Sequence, residues 1–308
     1  MTLVEFFILM SSVSCFLLII ARVYSPAILL DPHSITPTLR YSILRAFHHP
    51  TIPTFLLSIL CSVFCILSSS LIGTVEARNI PFSPGEKLTF QVRWAFIPAG
   101  EGTVEIHPME SVNGTKSYHF SFTARTFEYV DVFYKVRDRL DAYVDESMSR
   151  SLLFKKHQDG RRKRRITVSF DWETNQAQYA DAGESRKPIS ILPGSFDPLS
   201  VFYAFRLFPL REGVELQLPV TDGKKCVVGR VKVVKRETIE VRDKVYETFL
   251  VEPILENLGG VFEKTKDAKL KIWVTADGTS VPVRIESELI VGSFVAELVS
   301  AEAHPAAP

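Results

Sequence analysis

The sequence predicts an all-β, mainly antiparallel domain. It is a curved sheet or open barrel, partly closed by one short helix and preceded by N-terminal hydrophobic helices. Three observations predict this. Beyond Gly85, segments that alternate apolar and polar residues recur at intervals of about ten residues, the rhythm of a sandwich or barrel. Turn-forming pairs separate them: Asn113-Gly114, Asp159-Gly160, Thr174-Asn175, Asp222-Gly223 and Asp277-Gly278. Only one stretch beyond residue 85, Asp197–Phe208, carries a helical period.

The chain has 308 residues and a formal net charge of +1. That balance argues against a nucleic-acid binder, which carries a basic excess. Two apolar runs open it, 3–20 and 55–75, each close to the ~20 residues that span a bilayer. Between them lie Arg22, Arg40 and Arg45 against a single acidic residue, Asp31. Two readings stand. In one, both runs are retained and the basic linker faces the cytoplasm. In the other, residues 40–49 form a basic n-region, 55–73 an apolar h-region, and Val75-Glu76-Ala77 a cleavage site after Ala77. Both place residues 78–301, a single β-rich domain, outside the cytoplasm. A short tail, 302–308, is small, Pro/Ala-rich and expected to be disordered. Of the four cysteines only Cys226 lies in the domain, so no internal disulfide staples it.

The strands follow in order. In Glu86–Ala95, Leu88, Phe90, Val92 and Trp94 face one way and Lys87, Thr89, Gln91 and Arg93 the other. Pro98-Ala99-Gly100 reads as a turn, Val104 and Ile106 as a second strand. Tyr118, Phe120, Phe122 and Ala124 alternate with polar residues. Val132–Val136, Leu140–Val144, Leu152–Lys156 and Ile166–Phe170 continue the series. After the helix come Val214–Val220, Cys226–Val234, a Thr238–Val241/Val245–Val251 hairpin, Leu270–Thr275, Val281–Ile290 and Ser293–Val299. In the helix, Asp197 is placed to cap the first free N–H groups, and Pro198 suits the first helical position. Leu199, Phe202 and Phe205, with Tyr203 and Arg206 beside them, form a stripe that must lie on the sheet.

Several pieces together resemble one family. They are Gly85-Glu86 with a strand ending at Trp94, Pro98-Ala99-Gly100, Phe170-Asp171, Asp197-Pro198-Leu199-Ser200 with Tyr203 and Arg206, Val220 with Asp222-Gly223-Lys224, and Trp273, Thr275, Asp277 and Pro282-Val283. In this order and spacing they resemble domain-of-unknown-function family 3108, bacterial envelope proteins that usually carry a signal peptide. The likeness covers nearly all of 85–299. It implies an envelope location and a β-rich fold; it implies no activity and lends no catalytic residues. The two N-terminal apolar runs depart from the family, which usually has one.

Two groups of residues are candidate sites. Phe90, Trp94, Phe120, Phe122, Phe202, Tyr203, Phe205 and Trp273 either fill the core or line a cavity for an apolar ligand. Lys155, Lys156, Arg161, Arg162, Lys163, Arg164 and Arg165 form a basic hairpin tip, either a solvated face or a contact for an anionic membrane surface. Asp197, Pro198 and Arg206 read as structural; nine positions apart, Asp197 and Arg206 do not pair within the helix. No nucleophile elbow, phosphate loop or dinucleotide fingerprint is present. His107, His119, His157 and His304 are scattered without ligand spacing, so neither metal nor cofactor is expected. The expected function is non-enzymatic binding of an apolar or amphipathic envelope molecule such as a lipid. The alternatives are an envelope-assembly scaffold acting through a strand edge or the basic tip, and a hydrolase with an unrecognised site.

Overall fold

Period-two alternation leaves one apolar face per strand, and a long sheet buries such faces by curling on itself. The computed structural model describes residues 80–160, 163–254, 269–289 and 292–302, all within one compact unit. The N-terminal runs, the cleavage point at Ala77, Arg161, Arg162 and residues 303–308 lie outside the described residues. Among the described residues no helix is long and apolar enough to cross a membrane.

The strands are β1 (Lys87–Trp94), β2 (Ile97–Val112), β3 (Thr115–Thr126), β4 (Arg137–Asp145), β5 (Ser151–Asp159), β6 (Lys163–Asp171), β7 (Gln176–Asp181), β8 (Glu184–Ser185), β9 (Ile189–Ser190), β10 (Glu215–Thr221), β11 (Cys226–Val241), β12 (Lys244–Pro253), β13 (Lys269–Thr275), β14 (Pro282–Leu289) and β15 (Gly292–Glu302). Helix α1 (Glu128–Asp131) lies between β3 and β4, and α2 (Ser200–Phe205) between β9 and β10. One antiparallel sheet runs β10-β11-β12-β13-β14-β15-β1-β2-β3-β4-β5-β6-β7-β8, with β9 paired to β7. The sheet does not close. Its two flanks are stitched by the segment before α2. Phe196 N–H donates to Pro219 O (2.9 Å) and Thr221 N–H to Phe196 O (2.9 Å) on one side. Ser151 N–H donates to Ser195 O (3.1 Å) and Ile191 N–H to Asn175 O (2.9 Å) on the other.

The core is the inner face of this curl. Leu88, Ile106, Phe120, Leu140, Val144, Phe154, Val168 and Tyr179 point inward and meet Leu199, Val201 and Tyr203. Phe82 lies edge-on to both Phe120 and Tyr203, while Phe120 and Tyr203 stack at 4.0 Å.

Several expectations need correction. Val132–Val136 is not a strand. Phe127 onward makes the single turn α1 and a loop, in which Asp131 bonds Arg137 (2.5 Å) and Thr126. Pro98-Ala99-Gly100 lies inside β2, and the turn is Ala95-Phe96, with Ala95 at φ 51°. Gly100 is needed there for another reason: a Cβ would sit 2.4 Å from Arg125 O on β3. Helix α2 is shorter than Asp197–Phe208, and Pro198 sits in the turn before it rather than at its first position. Cys226–Val234 and Thr238–Val241 are one strand, β11, with its register shifted between Val233 and Lys235. Glu302 is the last residue of β15, not part of a tail.

Candidate functional site

Helix α2 is fixed at both ends by buried polar contacts. At its start, the fully buried Asp197 carboxylate accepts from the Leu199 and Ser200 N–H groups (2.8 and 2.9 Å). It also accepts from the Ser151 hydroxyl (2.6 Å) and the Ser200 hydroxyl. Burial pushes the Asp197 carboxyl up, and these bonds pull against that shift. At its end, Arg206 makes a bidentate pair with Glu86, just before β1 (2.5 and 2.9 Å), and donates to Thr279 O (3.0 Å). The guanidinium also lies over the Phe82 and Tyr203 rings. Ser151, Glu86 and Thr279 all lie at one end of the curl, so α2 plugs that end.

Above the plug the interior is not filled. A cavity of about 200 Å³ extends from Leu199, Val201, Phe202 and Phe205 towards Thr126, Val136 and Pro253, at strand ends away from α2. Its wall is almost wholly apolar, built from inward residues such as Phe90, Val104, Phe122, Val231, Ile272, Ile285 and Ala296. Small residues border it: Gly100, Gly102, Ala124 and Ala296 all lie along its wall.

The structure divides the aromatic candidates. Phe90, Phe122, Phe202 and Phe205 line the cavity together. Phe120 and Tyr203 stack in the core, and Tyr203 Oη is buried with no partner. Trp273 Nε1 donates to Glu237 (2.9 Å), and Trp94 stacks on Phe294. None of these four lines the cavity. Of the basic candidates, Lys155, Lys163, Arg164 and Arg165 are exposed around the β5–β6 turn. Lys156 is buried, because it shares the inward parity of Phe154 and Gln158. Cys226 is partly buried, and its Sγ lies 3.4 Å from both Leu192 N and Ser195 Oγ.

A polar cluster on the outer face escaped the sequence reading. His107 and His119 are not scattered: their rings lie 4.4 Å apart across β2 and β3. His119 bridges Glu110 (2.7 Å) and Asp141 (2.9 Å) and stacks on Tyr143. His107 Nε2 lies 2.7 Å from Ser121 Oγ. Burial lowers the His107 pKa, and the neighbouring His119 lowers it further. Burial pushes the Asp141 carboxyl up, but hydrogen bonds from His119 and Arg139, with their charges, hold it well below the usual carboxylate range. Ser121 is buried, and the cavity lies on the other face of these strands. Among the described residues no group of His, Cys, Asp or Glu is placed to hold a metal ion.

Comparison with solved structures gives distant likenesses. A β-barrel-like protein of domain of unknown function DUF1849 from Brucella abortus is 9% identical, with a TM-score of 0.48, over 73% of this chain and 99% of that one. A protein with a YmcC-like fold from Bacteroides fragilis is 11% identical, with a TM-score of 0.33, over 72% of this chain and 98% of that one. A hypothetical protein from Chlamydia trachomatis is 7% identical, with a TM-score of 0.32, over 75% and 94%. No curated protein matches the chain. Residues 89–299, in contrast, match the family described as protein of unknown function (DUF3108), in agreement with the motifs around Gly100, Asp197 and Asp222. This mostly antiparallel, incompletely closed sheet with its helical plug is a member of the DUF3108 family.

Proposed function

We propose that this protein is a non-enzymatic carrier or receptor of the cell envelope that holds the apolar part of an amphipathic molecule, such as a lipid, above α2. The observation that carries this reading is the unfilled apolar cavity. Interiors pack to about three-quarters density and leave few voids larger than a water. An apolar cavity of ~150 Å³ stays dry and takes up benzene. The space here, about 200 Å³, is larger and as greasy. Its size fits a ring or a segment of acyl chain, so the rest of the ligand extends out between the strand ends. The two apolar runs and the basic linker of the N-terminus support a location outside the cytoplasm.

The test is to purify the segment from Arg78 onward, which carries its own core, from an envelope fraction. The organic extract is then read by mass spectrometry. A reproducible amphiphile, present in the native protein and depleted by a cavity-filling substitution, is the expected result. Repeated lipid-free preparations, with a crystal structure in which side chains occupy the space, would rule the reading out.

A further inference from the structure

The end of the curl opposite α2 carries an unexpected surface. Antiparallel alternation puts the β1–β2 turn, the β3–β4 connection and the β5–β6 turn at this end. Phe96 in the first is 86% exposed, and Val132 and Phe133 in the second are 80% and 78% exposed. Single exposed apolar side chains are ordinary, but three large ones on adjoining loops form a patch. The loops are held together. Tyr129 Oη donates to Pro98 O, Phe127 N–H donates to Ala99 O (3.1 Å), and Ala99, Tyr134 and Val136 form a small buried cluster beneath. The anchoring of Tyr134 fixes its neighbours Val132 and Phe133 outward, so the patch is built and not a frayed loop.

The third turn brings charge. Gly160 packs so closely on the start of β4 that a Cβ there would sit 2.3 Å from Lys135 O. The basic hairpin is therefore the neighbour of the aromatic loops. Among the described residues of the β3–β4 connection and the β5–β6 hairpin tip, Lys135, Arg137, Lys163, Arg164 and Arg165 stand against Glu128, Asp131 and Asp159, an excess of two positive charges. Asp131 and Asp159 are already engaged with Arg137 and Lys163. Exposed aromatics flanked by basic side chains match the two layers of an anionic bilayer surface, acyl chains below and phosphates above. A protein partner with an acidic rim would satisfy the charges too. Two facts favour lipid: the apolar side chains are loop tips rather than a flat face, and the cavity reaches Thr126 and Val136, the residues on which these loops are rooted.

We infer that Phe96, Val132 and Phe133 are the membrane-docking tip of the molecule, entering an anionic lipid surface with Lys135, Lys163 and Arg165 at the phosphates. The inference stands on exposure, charge and the reach of the cavity to these loops, and it does not depend on what fills that cavity. The test uses the full chain with a photoreactive benzoyl-phenylalanine at position 96, 133 or 245. Val245 is 71% exposed and sits at the other end, beside the β11–β12 turn, as the control. The protein is irradiated with vesicles of phosphatidylethanolamine and phosphatidylglycerol, and again with phosphatidylcholine alone. Lipid adducts are expected at 96 and 133 and not at 245. The yield is expected to fall by about an order of magnitude when anionic lipid is omitted or when K163Q and R165Q are combined, since each basic residue near such a surface counts several-fold. Adducts at 133 no more abundant than at 245, or a discrete protein adduct in cells with no lipid adduct, would overturn it.

Discussion

Ala296 stands on the inner face of β15, between Val92 of β1 and Ile285 of β14, and its side chain borders the cavity. Replacing it with leucine adds three carbons to that space. At about 0.8 kcal/mol for each buried methylene-sized group, the A296L protein gains about 2 kcal/mol if the added atoms meet only void and apolar wall. For a domain of this size each kcal/mol moves the midpoint by about 2–4 °C, so the expected rise is roughly 4–8 °C. A filled core gives the opposite sign, because overpacking costs about 1–3 kcal/mol. The assay is thermal unfolding of delipidated protein by near-ultraviolet circular dichroism, with lipid uptake measured in parallel. Uptake should fall as stability rises. A midpoint lowered by several degrees would refute the reasoning, because it would mean that the space beside Ala296 is already occupied.

Three further outcomes are expected. R206M should cost about 3–5 kcal/mol, because it strands the Glu86 carboxylate in the core, and R206M/E86Q should recover most of the loss in urea unfolding. Y203F should stabilise by about 1 kcal/mol, since the buried hydroxyl it removes has no partner; a loss would reveal a bond to that oxygen. Folded His107 has a pKa below 6.5, so below that pH the unfolded chain takes up a proton that the folded chain resists. Stability is therefore present above pH 6.5 and declines as the pH falls beneath it, and H107Q should flatten this limb in urea midpoints taken between pH 7.5 and 5.5.

Alternation alone revealed β1, β3, β4 and the last strands, because their inward residues are mostly apolar and the residues between them mostly polar. Where a stronger local signal competed, the reading failed. The basic run near Gly160 drew attention as a charge cluster, which concealed the inward parity of Lys156 behind Phe154. The turn at Asn113-Gly114 pairs Val112 with Thr115, and that register continued would set His107 against Phe120, on opposite faces. A bulge at Pro108-Met109 shifts it by one and brings His107 against His119. The conflict between an inward Phe120 and an outward His107 was visible in the sequence and already demanded that slip. Asp197 stands out because an aspartate just before a proline and an apolar helical stripe can accept the first free N–H groups, as its bonds from Leu199 and Ser200 N–H do. The cavity was not legible, since it depends on how far a six-residue helix, pinned by Ser151 and Glu86, stops short of the opposite strand ends. The segment Val132–Val136 reads as strand because Val132, Tyr134 and Val136 recur at every second position, a pattern that a loop anchored by Tyr134 and Val136 also produces.

The pairing of β1 with β15, from Lys87 opposite Glu302 to Trp94 opposite Phe294, makes the first strand wait for the last. Until the ribosome has released residue 302, β1 and β14 each lack a neighbour, and the nascent polypeptide cannot complete its sheet. Such late closure makes the last strand the vulnerable point: a stop codon before Gly292 would leave two bare strand edges, a template for aggregation.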